Sequence, residues 1–93
     1  MMPSTRFADT FYWLALARPR DPWHAAVMKW AAANSAAQVV TTDEVLTEFL
    51  NALSGTGPAG RVYAAATVLD LRSDPGVQIL PQTRADFDAA LLL

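Results

Sequence analysis

The chain alternates two hydropathy patterns, short apolar runs and longer stretches with helical periodicity. Thr5 to Asp9 is the first short run and is expected to be a fully buried strand. A helix follows through Ala17, with Thr10 placed to cap it. Arg18-Pro19-Arg20 breaks it, because Pro19 cannot continue the hydrogen-bond ladder. Asp21-Pro22 predicts a restart, an acid N-cap followed by proline at the first helical position. Trp23, Ala26, Val27 and Trp30 form one apolar stripe there, and Asn34-Ser35 ends the helix. Gln38-Val39-Val40-Thr41 predicts a second strand. Thr41 and Glu44 have the spacing of a capping box. The helix after them turns Val45, Leu46, Phe49, Leu50 and Leu53 inward. Pro58 opens the next helix, whose expected buried face is Val62, Ala65, Ala66 and Leu69. Asp74-Pro75-Gly76 is a turn, Val77 to Leu80 a third strand stopped by Pro81, and Thr83 caps a helix containing Phe87 and Leu91 to Leu93.

The order β-α-α-β-α-α-β-α predicts an α/β fold of three layers, a parallel sheet with helices on both faces. The last apolar helix carries no Gly, Asn or basic stop signal after Leu93, so the expectation is a domain cut short. A length of 93 residues suits one small domain, residues 1–93. The hydrophobic fraction of 53% is high for so short a chain and implies apolar surface meant to meet something else. Nine acids against seven bases give a net charge of −2, which excludes the footprint of a strong nucleic-acid binder but leaves a weak grip on RNA open. The absence of cysteine excludes disulfides and thiolate metal sites and predicts a cytoplasmic location. No run approaches the roughly 20 apolar residues of a membrane span. Ala15-Leu16-Ala17 is similar to a signal-cleavage site, but Asp9 offsets Arg6 and leaves no positive n-region, so secretion is not expected.

Candidate chemistry centres on Asp9. A carboxylate at the carboxyl end of a parallel strand lies where ligand sites gather. It is costly there unless a metal or a donor satisfies it. Asp43 in a first helical turn favours the macrodipole, and Glu44 serves the capping box. Glu48 has two readings, a solvated helix glutamate or a second carboxylate brought near Asp9. Parallel strands would deliver the end of the first strand and the helix after the second to one side of the sheet. Two carboxylates converging there suit Mg²⁺ or Mn²⁺. Such an ion activates water and stabilises charge on a phosphate. His24 reads as a packed, hydrogen-bonded histidine. Trp13, Trp23 and Trp30 read as core, and Arg18 and Arg20 as solvated charge.

Three blocks carry a family resemblance: Phe7-Ala8-Asp9-Thr10 with the apolar helix after it, Asp21-x-x-His24-x-x-Val27, and Val39-Val40-Thr41-Thr42-Asp43-Glu44-Val45-Leu46-x-Glu48-Phe49-Leu50. Together they resemble the PIN domain, and within it the VapC-type ribonuclease toxins of toxin–antitoxin pairs. The resemblance implies an endoribonuclease dependent on Mg²⁺ or Mn²⁺, with acids at the carboxyl edge of a parallel sheet. It places the first family acid on Asp9, the second on Glu48 and the neighbouring hydroxyl on Thr10. It implies an RNA substrate and an antitoxin partner, and a homodimer is expected through an exposed sheet edge. The third and fourth family acids would follow the helix begun near Thr83, and Asp86 and Asp88 do not replace them. The last strands of the family sheet would likewise be lacking, which opens an edge on the first strand. Weak or absent catalysis is therefore expected. A non-catalytic module that dimerises or binds an antitoxin is the competing expectation.

Overall fold

A computed structural model describes residues 5–81. They form β1 (Thr5–Phe7), α1 (Thr10–Ala17), α2 (His24–Ala33), β2 (Gln38–Thr42), α3 (Asp43–Ser54), α4 (Pro58–Ser73) and β3 (Val77–Leu80). The helix expected from Thr83 lies outside these residues. The sheet is parallel, in the order β1-β2-β3. Thr5 faces Gln38 and Phe7 faces Val40, while Val39 faces Val77 and Thr42 faces Leu80. All of β1 is exposed, contrary to the buried strand expected, and Phe7 is 62% exposed. Among the described residues β1 pairs on one side only.

Helix starts follow the accounting of orphan amide groups. Asp9, not Thr10, caps α1: its backbone is extended and its carboxylate accepts from the Tyr12 amide at 3.0 Å. Thr42, not Thr41, caps α3, its hydroxyl accepting from the Val45 amide at 3.1 Å. The strand runs one residue further than expected, and the side chain of Thr41 points into the core. Glu44 is thereby one position too early to close a capping box, and it sits with Asp43 as an acid of the first turn. Asp21 does not start α2. Its carboxylate accepts from the Trp23 amide at 2.8 Å, a local turn that competes with the helix. The helix proper begins at His24.

The core comprises Ala8, Trp13, Leu46, Phe49, Leu53 and Ala64, with Val45, Leu50, Val68, Leu71 and Ile79 packed around it. The inward face expected for α3 is thus the observed one. That of α4 is not. Val62 and Leu69 are 71% and 59% exposed, and Ala65 and Ala66 face water with them. The packed stripe is Ala64, Val68 and Leu71 on nearly the opposite side. α4 carries two apolar stripes on opposite sides, and the one that continues from Gly60, where the helix comes close to Leu53 and Thr56, is the one that packs. Gly60 lies in that contact: a Cβ there would meet the Thr56 side chain and come within 2.5 Å of the Leu53 carbonyl oxygen. Gly57 opens α4 with φ of 106°, a conformation that side chains rarely adopt.

Trp13 is core as expected, 6% exposed, but Trp23 and Trp30 are not, at 58% and 36%. None of the residues of α2 is buried. Its stripe makes edge contacts instead, Trp23 with Phe11 and Trp30 with Tyr12, at 6.2 and 5.8 Å between ring centroids.

Gly60→Ala is expected to lower stability by about 1–3 kcal/mol through overpacking, although the same change in an open helix raises it by up to about 1 kcal/mol. Thermal denaturation followed by circular dichroism checks the sign.

Candidate functional site

Parallel pairing puts the carboxyl ends of β1 and β2 side by side, so the segments leaving them start from one edge of the sheet. Asp9 and Thr10 leave β1 there, and Asp43 and Glu44 leave β2. Glu48 follows in the second turn of α3. α1 and α3 pack on each other, and the first contact of consequence is polar. The Thr10 hydroxyl donates to Glu48 Oε2 at 2.9 Å across 38 residues of sequence.

The shift in capping register makes that contact available. Because Asp9 takes the cap, the hydroxyl of Thr10 owes nothing to its own helix and is free to reach α3. Asp9 Oδ1 is spent on the Tyr12 amide. Among the described residues no hydrogen bond engages Asp9 Oδ2. Asp9 and Glu48 are both exposed and Thr10 is half-buried, so the edge is open to solvent. Glu48 is therefore a solvated glutamate that is also oriented by a partner. It is linked to Asp9 through Thr10 rather than by direct hydrogen bond.

These are hard oxygen donors, of the kind Mg²⁺ and Mn²⁺ take. Among the described residues no group of three or more His, Cys, Asp or Glu side chains is arranged to hold a metal ion. The candidate donors are Asp9 and Glu48, with the Thr10 hydroxyl bonded to Glu48. Tyr12, one turn into α1, adds no charge: burial pushes its phenol up from 10.0, and it stays protonated at neutral pH.

Three candidate residues stand apart from this edge. His24 Nδ1 lies 2.7 Å from the Ala15 carbonyl oxygen. A carbonyl only accepts, so the proton is on Nδ1, and the ring ties the end of α1 to the start of α2. Arg18 and Arg20 line a shallow groove with Ala17, Asp21, Leu53 and Thr56. It lies at the far end of α1, about 12 Å along the axis from Thr10.

Thr41 is the residue that sequence reasoning misplaced. Read as a cap, it is wholly buried instead. Its hydroxyl donates to the Ala8 carbonyl at 2.9 Å and accepts from Trp13 Nε1 at 3.1 Å. The signal was present, since Thr41 shares a strand face with Val39, and a hydroxyl on a core-facing position needs partners.

The fold and this edge define a parallel α/β domain of PIN-like architecture. A solved structure shares it, that of the Mycobacterium tuberculosis toxin VapC20, described as cleaving the sarcin–ricin loop. The two superpose with a TM-score of 0.75 at 29% identity, over 96% of this chain. The match takes in 65% of the VapC20 chain, so this chain spans just under two thirds of that length. No protein-family model and no curated protein matches the chain.

Asp9→Ala removes the α1 cap and is expected to cost about 1 kcal/mol, whereas Asp9→Asn keeps an acceptor and is expected to cost little. Urea denaturation of both variants checks this and establishes Asp9→Asn as a folded probe of the carboxylate charge.

Proposed function

We propose that this chain is a PIN-type endoribonuclease, the toxin component of a toxin–antitoxin pair, acting on RNA in the cytoplasm. The hydrogen bond from Thr10 to Glu48 carries the reading, because it joins two of the implied site residues at the sheet edge where Asp9 sits. The likeness to VapC20 supports it. Residues 1–93 are taken as one PIN-like domain.

Asp9 and Glu48 would hold Mg²⁺ or Mn²⁺, directly or through water. When bound, the ion supplies positive charge against the phosphodiester and makes water more acidic. Asp9 contributes through the carboxylate oxygen that the helix cap leaves free. Glu48 contributes with its orientation set by the Thr10 hydroxyl, whose donated proton keeps the carboxylate from rotating. Open exposure of both acids lets an RNA backbone approach. Two carboxylates hold Mg²⁺ weakly, since the ion keeps its waters unless charge is dense. Slow turnover follows for a site built from this pair. An antitoxin is the expected protein partner.

A non-catalytic reading rests on a separate observation, the one-sided pairing of β1 among the described residues, with Phe7 exposed beside it. An unpaired strand edge is a template for association, and a homodimer or an antitoxin complex would cover it without any chemistry. Size-exclusion chromatography with light scattering tests that reading, which predicts a dimer unaffected by Asp9→Asn.

For the nuclease, a labelled RNA incubated with the purified chain should be cut slowly in Mg²⁺ or Mn²⁺ and left intact in EDTA. Asp9→Asn and Glu48→Gln should each reduce cleavage to background, and Thr10→Val should slow it about tenfold to a hundredfold as the loss of an outer-shell partner. Cleavage that survives EDTA would sink the mechanism.

A further inference from the structure

We propose that Thr41 is a positioning residue for Asp9, its buried hydroxyl clamping the chain on both sides of that carboxylate. The inference rests on the proposed role of Asp9 and adds a residue to it. The backbone ladder between β1 and β2 ends with the Ala8 amide donating to the Val40 carbonyl at 2.8 Å. β2 then gives way to α3, whose cap is Thr42. At that point the Thr41 hydroxyl takes over as donor to the Ala8 carbonyl, which belongs to the peptide group leading into Asp9. The Thr41 hydroxyl oxygen in turn accepts from the indole N–H of Trp13. Trp13 lies in the first turn of α1, and its own amide donates to the Asp9 carbonyl at 3.3 Å.

The direction of both bonds is forced. A carbonyl only accepts and an indole N–H only donates, so the single hydroxyl proton must go to Ala8 and a lone pair must face Trp13. No other arrangement satisfies the three groups. Thr41 has no measurable exposure and Ala8 and Trp13 are 3% and 6% exposed, so water is a poor replacement for the hydroxyl. Removing it leaves a buried carbonyl and a buried N–H unpaired on either side of Asp9, each of which carries a desolvation penalty. The relaxation open to them is a shift of the β1–α1 junction, and Asp9 is that junction. Valine tests this cleanly, since it keeps the branched shape and loses only the polar group. Serine keeps the hydroxyl and loses only a methyl.

The test has two readouts, both on the full chain at a temperature where every variant is folded by circular dichroism. The first is amide hydrogen exchange by NMR. The Tyr12 amide is protected by the Asp9 carboxylate, and the Val45 amide by the Thr42 cap, which serves as the internal control. Thr41→Val should speed exchange at Tyr12 about tenfold relative to Val45, a local opening, while Thr41→Ser should leave the ratio near that of the parent. The second is Mn²⁺ affinity, read from the electron paramagnetic resonance signal of free Mn²⁺. Thr41→Val should weaken binding about tenfold, in the range of outer-shell partners, with Thr41→Ser close to the parent and Asp9→Asn abolishing the site. Unchanged relative exchange in Thr41→Val would overturn the proposal and reduce Thr41 to an ordinary core hydrogen bond. A parent chain that binds no Mn²⁺ would sink the metal reading instead, and the exchange ratio would still decide the role of Thr41.

Discussion

The parallel pairing of β1 with β2 is the constraint on which the rest of this structure depends. Parallel strands cannot be joined by a tight turn, so the chain between Phe7 and Gln38 must cross back over the sheet, and α1 and α2 are that crossover. The same pairing brings the carboxyl ends of both strands to one edge. Residues far apart in sequence therefore begin their helices side by side, and the polar contact between Thr10 and Glu48 is a consequence of that geometry rather than of any local signal.

Two one-residue shifts in capping decide what that edge can do. In each, a pair of neighbouring residues could serve as the N-cap, and the choice releases one hydroxyl for another task. Asp9 caps α1 and frees Thr10 to reach across to α3. Thr42 caps α3 and leaves Thr41 to face the core, where it binds Ala8 and Trp13. One cap side chain satisfies one orphan amide of each helix, and the neighbouring hydroxyl is available for tertiary structure.

The surplus of apolar residues is resolved unevenly. α3 buries its stripe as an amphipathic helix should. α4 carries more apolar surface than it can bury, and the close approach at Gly60 and Ala64 commits one stripe to α3 and leaves Val62 and Leu69 in water. Phe7, Phe11, Trp23 and Met28 are likewise exposed.

Hydropathy periodicity and turn chemistry were enough to place every described helix and strand in order. The extents of α1 and β3 were also legible, because Pro19, Gly76 and Pro81 punctuate them. So was the inward face of α3, and parallel strands implied that the segments carrying Asp9 and Glu48 start from one edge of the sheet. Tertiary packing decided the α3 cap, since neighbouring threonines have equal local propensity and the burial of Thr41 breaks the tie, whereas the choice of Asp9 over Thr10 at α1 agrees with the stronger capping of an acid. Packing also decided which side of α4 is inside, because a helix with two opposite apolar stripes states no preference until a glycine meets its neighbour. And it placed the oxygen atoms of Thr10 and Glu48 within a hydrogen bond of each other, a contact between segments 38 residues apart that depends on how two helices pack and so has no expression in the order of the residues.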